Sequence, residues 1–188
     1  MRICAYNNFY ITQRECFAIN RKVKIIVSAA LTAAVMIVIF VMSGQTGSTS
    51  SGASNGVGAF LLKLLGIEIP PGQSPDTVVI IAGLQTRNLA HVFLYFCLGF
   101  SSYLLSASLW GIKYGLFPPR VLFSALCAAA FSLLYACSDE LHQYFVPGRS
   151  ATVRDILIDC IGIVLSVGAC AVVQLLSWLI KKRALKNG

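Results

Sequence analysis

Along this chain the apolar residues gather into four long stretches, with charged residues almost entirely in the gaps between them. Ile25 to Met42 carries no charge and is extended backwards by Val23 and Lys24. Leu89 to Trp110 is uncharged, with His91 near its start. Val121 to Cys137 is shorter and lies between Pro118-Pro119 and Ser138-Asp139-Glu140, and Ile156 to Ile180 holds one charge, Asp159. A helix crossing a bilayer needs about 20 mostly apolar residues, so the pattern predicts helices over approximately 23–43, 88–110, 119–141 and 153–180. The expected fold is all-α: an integral membrane bundle of about four transmembrane helices, with a polar re-entrant or turn segment between helices three and four.

The stretch from Ser43 to Asn88 fits this scheme least well. Ser43-Gly44-Gln45-Thr46-Gly47-Ser48-Thr49-Ser50-Ser51-Gly52 has the composition of a linker. Phe60, Leu61, Leu64 and Leu65 then recur at helical spacing, which suits a short helix at the membrane surface. Pro70-Pro71-Gly72 breaks it, and Ser74-Pro75 has the form of a cap followed by a first-turn proline. Thr77 to Leu84 is too short to cross alone, so it either extends the second helix outward or re-enters the membrane.

Composition agrees with a membrane chain. Of 188 residues 57% are hydrophobic and 12% charged, where a soluble domain carries about 25% charged residues; the mean hydropathy is +0.76. The net charge of +8 reflects lysines and arginines at the ends of the apolar stretches, with no aromatic-interleaved basic run of the kind a nucleic-acid groove needs. Placing the N-terminus inside puts Arg2, Arg14, Arg21, Lys22, Lys24, Lys113, Arg120, Lys181, Lys182, Arg183 and Lys186 on the cytoplasmic side. Only Lys63, Arg87, Arg149 and Arg154 then lie outside, so both termini are expected in the cytoplasm. The chain divides into a basic cytoplasmic segment over 1–22, a transmembrane domain over 23–180 and a basic tail over 181–188. No cleaved signal peptide is expected. The seven cysteines form no CxxC and no metal-like cluster, and read as small buried hydrophobes.

The chemistry is concentrated between Ser138 and Asp159. If the third helix continues through Gln143, Asp139, His142 and Gln143 share a face, with Glu140 turned away from it. Pro147-Gly148 makes a turn, and Ser150 is a plausible cap for the fourth helix, with Arg149 beside it. Asp155 and Asp159 are spaced i, i+4, and Gly162 and Ser166 continue that face as small residues. A charge at the centre of a membrane helix costs about 2.5–3.5 kcal/mol, so these groups must pair, be hydrated or sit near the interface. Two readings compete: structural caps with Asp155 paired to Arg149 or Arg154, or a polar pocket open to the outer face. On the second helix Arg87, His91 and Tyr95 follow one another at four-residue spacing, at the same expected level.

The run Ser138-Asp139-Glu140-x-His142-Gln143-x-Phe145-x-Pro147-Gly148-Arg149, followed by Asp155 and Gly162, resembles the signature of the VanZ-like membrane proteins. Ser43-Gly44-Gln45 and Arg87-Asn88-x-x-His91-x-x-x-Tyr95 with Gly99 extend the resemblance over nearly the whole chain. Asp159 stands where that family usually has asparagine, and Asn88 where lysine is common. The resemblance implies an association with low-level resistance to teicoplanin, a lipid-bearing glycopeptide acting on cell-wall precursors; it implies no reaction.

Three functions are compatible with these residues. A binder would hold an amphiphile, meaning the antibiotic, a membrane lipid or a lipid-linked cell-wall precursor. His91, Tyr95, Asp139, Glu140, His142, Gln143, Arg149, Asp155, Asp159 and Arg87 are then the candidate ligand-binding residues. In that scheme Asp155 holds Arg149 so that its guanidinium meets a phosphate or carboxylate. An intramembrane enzyme would use Glu140, His142 and Asp139 for acid–base or metal chemistry on a lipid-linked or glycan substrate, although His-Glu-x-x-His, Gly-x-Ser-x-Gly and a phosphate loop are all absent. A transporter is the third, with four helices and no repeat. No cofactor and no metal are expected.

Overall fold

The computed structural model describes residues 3–6, 9–67, 69, 72–110 and 119–187. Pro70-Pro71, Pro118, Lys113 and Arg2, used above to place a break, a boundary and the charge asymmetry, lie outside the described residues. The elements are β1 (Ile3–Tyr6), β2 (Phe9–Thr12), α1 (Gln13–Ser43), α2 (Gly47–Leu64), α3 (Pro75–Trp110), α4 (Pro119–Tyr144) and α5 (Val153–Asn187). Four helices are long and apolar enough to cross a membrane: Arg21–Ser43, Pro75–Trp110, Arg120–Tyr144 and Val153–Ala184. The all-α bundle of four spans is therefore present. The N-terminal segment departs from a plain basic tail: β1 and β2 pair antiparallel, Ile3 opposite Thr12 and Tyr6 opposite Phe9.

The largest departure from the sequence pattern is α2. The serine- and glycine-rich stretch is a helix of 18 residues, not a linker. Thr46 caps its start, its Oγ1 accepting from the Thr49 amide at 3.4 Å. At its end the Ile67 amide donates to the Leu62 carbonyl and the Gly66 amide to Lys63, with Gly66 at φ 64°. This is the paired hydrogen bonding of a left-handed helix stop, which a glycine adopts without the clash a Cβ would bring. The small residues of α2 form a packing face. A Cβ on Gly58 would meet the Ala82–Gly83 backbone of α3 at 2.8 Å, and Gly83 in turn lies against Asn55.

α3 settles the other open point: Thr77–Leu84 is a continuation of the second crossing helix. Ser74 caps it as the sequence predicts, its Oγ accepting from the Thr77 amide at 3.3 Å. α3 packs against all four other helices, and α4 packs against α5 as well. Its buried face carries Tyr95, Leu98, Ser102, Tyr103 and Ser106. Lipid tails are as apolar as leucine, so helices in a bilayer associate through close approach and interhelical hydrogen bonds more than through hydrophobic burial. Both are visible. Tyr135 Oη donates to the Met36 carbonyl at 2.6 Å, and Tyr103 Oη to Gln174 Oε1 at 2.8 Å. Gly162 of α5 lies directly on the Val92 carbonyl, with Phe96 N 2.8 Å from the position a Cβ would take. At the opposite end Arg21 donates to the Ser108 and Leu109 carbonyls, closing the C-terminus of α3.

Two glycines on the same helix give opposite expectations. Gly162→Ala pushes a Cβ into α3 backbone and should cost about 1–3 kcal/mol by overpacking. Gly168→Ala meets open space and should be neutral or gain up to about 1 kcal/mol in helix propensity. Unfolding of the purified proteins in detergent checks the pair; equal stabilities would contradict the tight α3–α5 crossing.

Candidate functional site

The site forms where α1 and α4 end and α5 begins, beside the middle of α3. Its centre is Asp139, 4% exposed. One oxygen, Oδ2, accepts from Ser43 Oγ at 2.9 Å, Gln143 Nε2 at 3.1 Å and Tyr95 Oη at 3.2 Å. Asp139 and Gln143 share a face of α4 as predicted, because α4 does continue through Gln143. A carboxylate this deep in a bundle needs donors to offset desolvation, and three helices supply them.

Glu140, a step around α4, faces α5 instead. Its Oε2 accepts from the Thr152 amide at 3.0 Å, while Thr152 Oγ1 accepts from the Asp155 amide at 3.1 Å. The cap of α5 is therefore Thr152 and not Ser150. The acid three residues into a helix often reaches back to the cap's amide; here Glu140 takes that amide from another helix, and among the described residues the Asp155 carboxylate has no hydrogen bond. One turn on, Asp159 is fully buried, with Oδ1 3.0 Å from His91 Nδ1. His91 thus faces the cluster, and Asp159, which stands where the family usually has asparagine, is its partner.

Arg149 departs from expectation. It makes no ion pair with Asp155. Nη1 donates to the Ser43 carbonyl at 2.9 Å and Nη2 to Ser50 Oγ at 3.0 Å, so the guanidinium closes the C-terminus of α1 and holds α2. Burial first, and after it the nearby Arg87 charge, lower its pKa from the ordinary value. The turn that presents it has Val146 O accepting from Arg149 N at 3.1 Å, with Gly148 at φ 73°. A Pro-Gly pair suits this geometry because the second central residue needs positive φ. The segment between α4 and α5 is therefore a turn and not re-entrant. The Pro147 carbonyl accepts from Gly47 N at 3.1 Å, satisfying a free amide of α2, and Gly47 rests directly on Gly148.

Two candidates sit apart from the centre. His142 stacks on Phe40 of α1, ring centroids 4.7 Å apart, and Arg154 is exposed. Arg87 is half-buried, with its charge felt at His91 and Arg149. Thr152, Ser50 and Ser43 hold the site through Glu140, Arg149 and Asp139, and none of the three is among the candidates drawn from the sequence. Thr152 had a signal, since Thr-x-x-Asp is a capping pattern; Ser50 had none.

Among the described residues several buried polar atoms at this end have no partner: Glu140 Oε1, Asp159 Oδ2, Gln143 Oε1, His142 Nε2 and Arg149 Nε. Among the described residues no group of three or more His, Cys, Asp or Glu side chains is placed to hold a metal ion. Around the cluster Tyr144, Phe145 and Val153 stand exposed, an apolar rim on a polar centre.

The hydrogen bonds of Asp139 give a graded expectation. Tyr95→Phe removes one of three donors and should cost about 1.5–3 kcal/mol. Asp139→Ala strands all three donors and should cost about 3–5 kcal/mol. Unfolding of both variants in detergent measures the order, and a milder Asp139→Ala would remove Asp139 from the centre of the bundle.

Neither curated proteins nor solved structures provide a match to the chain. A family model described as VanZ/LLP1 matches residues 28–174, which spans α1 from Ser28 through α5 to Gln174 and includes every residue of the cluster. Within the signature, Asp139, Gln143, Glu140 and Arg149 tie the helix ends together, and the chain belongs to the VanZ-like family of membrane proteins.

Proposed function

We propose that this is a multi-pass protein of the cell membrane with both termini in the cytoplasm, and that the cluster at the Ser43 end lies at the outer face and binds the polar head of an amphiphile. Teicoplanin, a membrane lipid and a lipid-linked cell-wall precursor are the candidate ligands, the first suggested by the family. The observation that carries this reading is the set of buried polar atoms left without partners on Glu140, Asp159, Gln143 and Arg149. Native interiors pair such groups or leave them for water or ligand. The exposed rim of Tyr144, Phe145 and Val153 suits an acyl or other apolar tail.

Orientation is tested by labelling. In a cysteine-free background, Ser51→Cys and Ser150→Cys, both exposed, should react with an impermeant maleimide in intact cells. Arg183→Cys should react only after permeabilisation. The reverse pattern would move the cluster to the cytoplasmic face.

Binding is tested on purified protein in nanodiscs, titrated with teicoplanin and with a lipid-linked precursor. Saturable binding without product is expected for at least one. Glu140→Gln should weaken it about tenfold, the equivalent of about 1.4 kcal/mol. Absence of saturable binding to either would count against the reading.

One observation favours a second reading. His91 Nδ1 held by Asp159 is the contact that orients an imidazole for acid–base work, as an enzyme acting on a lipid-linked or glycan substrate would need. Product formed from the precursor, and lost on His91→Asn, would replace binding with catalysis.

A further inference from the structure

We infer that the group received by this cluster is a primary ammonium, so that the amphiphile is an amine-bearing one. The inference rests on the head-group binding proposed above and narrows it. Three of the unpartnered atoms are acceptor oxygens: Glu140 Oε1, Asp159 Oδ2 and Gln143 Oε1. Their residues are 3%, 0% and 0% exposed. Each has its other polar atom already engaged, Glu140 with Thr152, Asp159 with His91 and Gln143 with Asp139 and Ser43. The free oxygens are therefore held in place by the fold. They are not side chains turned at random.

An ammonium brings three N–H donors and no acceptor. That is the complement of three acceptors without donors. Charge points the same way. Four carboxyl groups, Asp139, Glu140, Asp155 and Asp159, gather at this end, on the last turns of α4 and the first turns of α5. Against them, Arg149 has both terminal nitrogens committed to Ser43 and Ser50, Arg154 is exposed, and Arg87 is half-buried. His91 has one ring nitrogen on Asp159. A phosphate or carboxylate would find both terminal nitrogens of Arg149 committed, with Nε alone free, and the three free oxygens repulsive. A divalent metal lacks a suitable group of three ligands among the described residues. A quaternary ammonium matches the charge but offers no N–H to the three oxygens.

The full chain in neutral detergent, titrated at pH 7 with three probes of equal tail, tests this: dodecylamine, dodecyltrimethylammonium and dodecanol. Dodecylamine should bind saturably, at least tenfold tighter than dodecyltrimethylammonium. Glu140→Gln and Asp159→Asn should each weaken it at least tenfold and leave dodecanol unchanged. If Glu140→Gln fails to fold, Asp159→Asn decides alone, since asparagine keeps an oxygen for His91. Equal affinity for the two cationic probes, or undiminished dodecylamine binding in the folded variants, overturns the inference as tail partitioning only. If teicoplanin or the precursor binds and dodecylamine does not, the ammonium is wrong and the head-group reading survives; if none binds, both fall.

Discussion

One carboxylate oxygen organises this bundle. Asp139 Oδ2 accepts from Ser43 on α1, Tyr95 on α3 and Gln143 on its own helix α4, so the ends of two crossing helices and the middle of a third are fixed to a point. In lipid such a group has no water to fall back on and its hydrogen bonds cannot be exchanged cheaply. What lies around it follows. With α4 oriented by Asp139, the adjacent Glu140 is turned toward α5 and meets the amide of Thr152. With the end of α1 fixed at Ser43, its carbonyl is presented to Arg149, which in turn holds Ser50 of α2. Residues that look like separate polar features in the sequence form one hydrogen-bonded assembly.

The second requirement is closeness. Gly99 of α3 lies on Ser166, Gly162 of α5 on Val92, and Gly47 of α2 on Gly148. Each contact sits within reach of the polar assembly and removes the side chain that would hold two backbones apart. Polar bonding and small-residue packing therefore support each other. A hydrogen bond of about 3 Å between helices needs the backbones near, and backbones this near need glycine or serine between them.

The four spans were legible in the sequence because length and apolarity answer directly to bilayer thickness. The polar cluster was legible as a concentration of acids around Pro147-Gly148, and His91 by its shared level. α2 was not. Serine and glycine are linker residues where water surrounds the chain, and a packing face where another helix lies against them; only the neighbour, α3 at Ala82–Gly83, distinguishes the two. For Arg149, proximity in sequence suggests only Asp155 as a partner. Its true acceptors, the Ser43 carbonyl and Ser50, lie about a hundred residues away in the chain, which no local spacing reports. The hairpin of β1 and β2 had a signal, two runs rich in β-branched and aromatic residues separated by Asn7-Asn8, that the basic character of the segment obscured.

α3 is an unbroken rod of 36 residues, about 54 Å long where a bilayer core is about 30 Å. It is gripped at its lower end by Arg21 and carries His91 and Tyr95 part-way up, with α2 packed along its upper part. Such a rod is a lever. Tilting it by about 5° about Leu109 moves Pro75 by about 4 Å and His91 by about 2 Å, at 1.5 Å of rise per residue. A shift of that size exceeds the tolerance of a hydrogen bond, so the contacts of His91 with Asp159 and of Tyr95 with Asp139 hold only while α3 keeps this tilt.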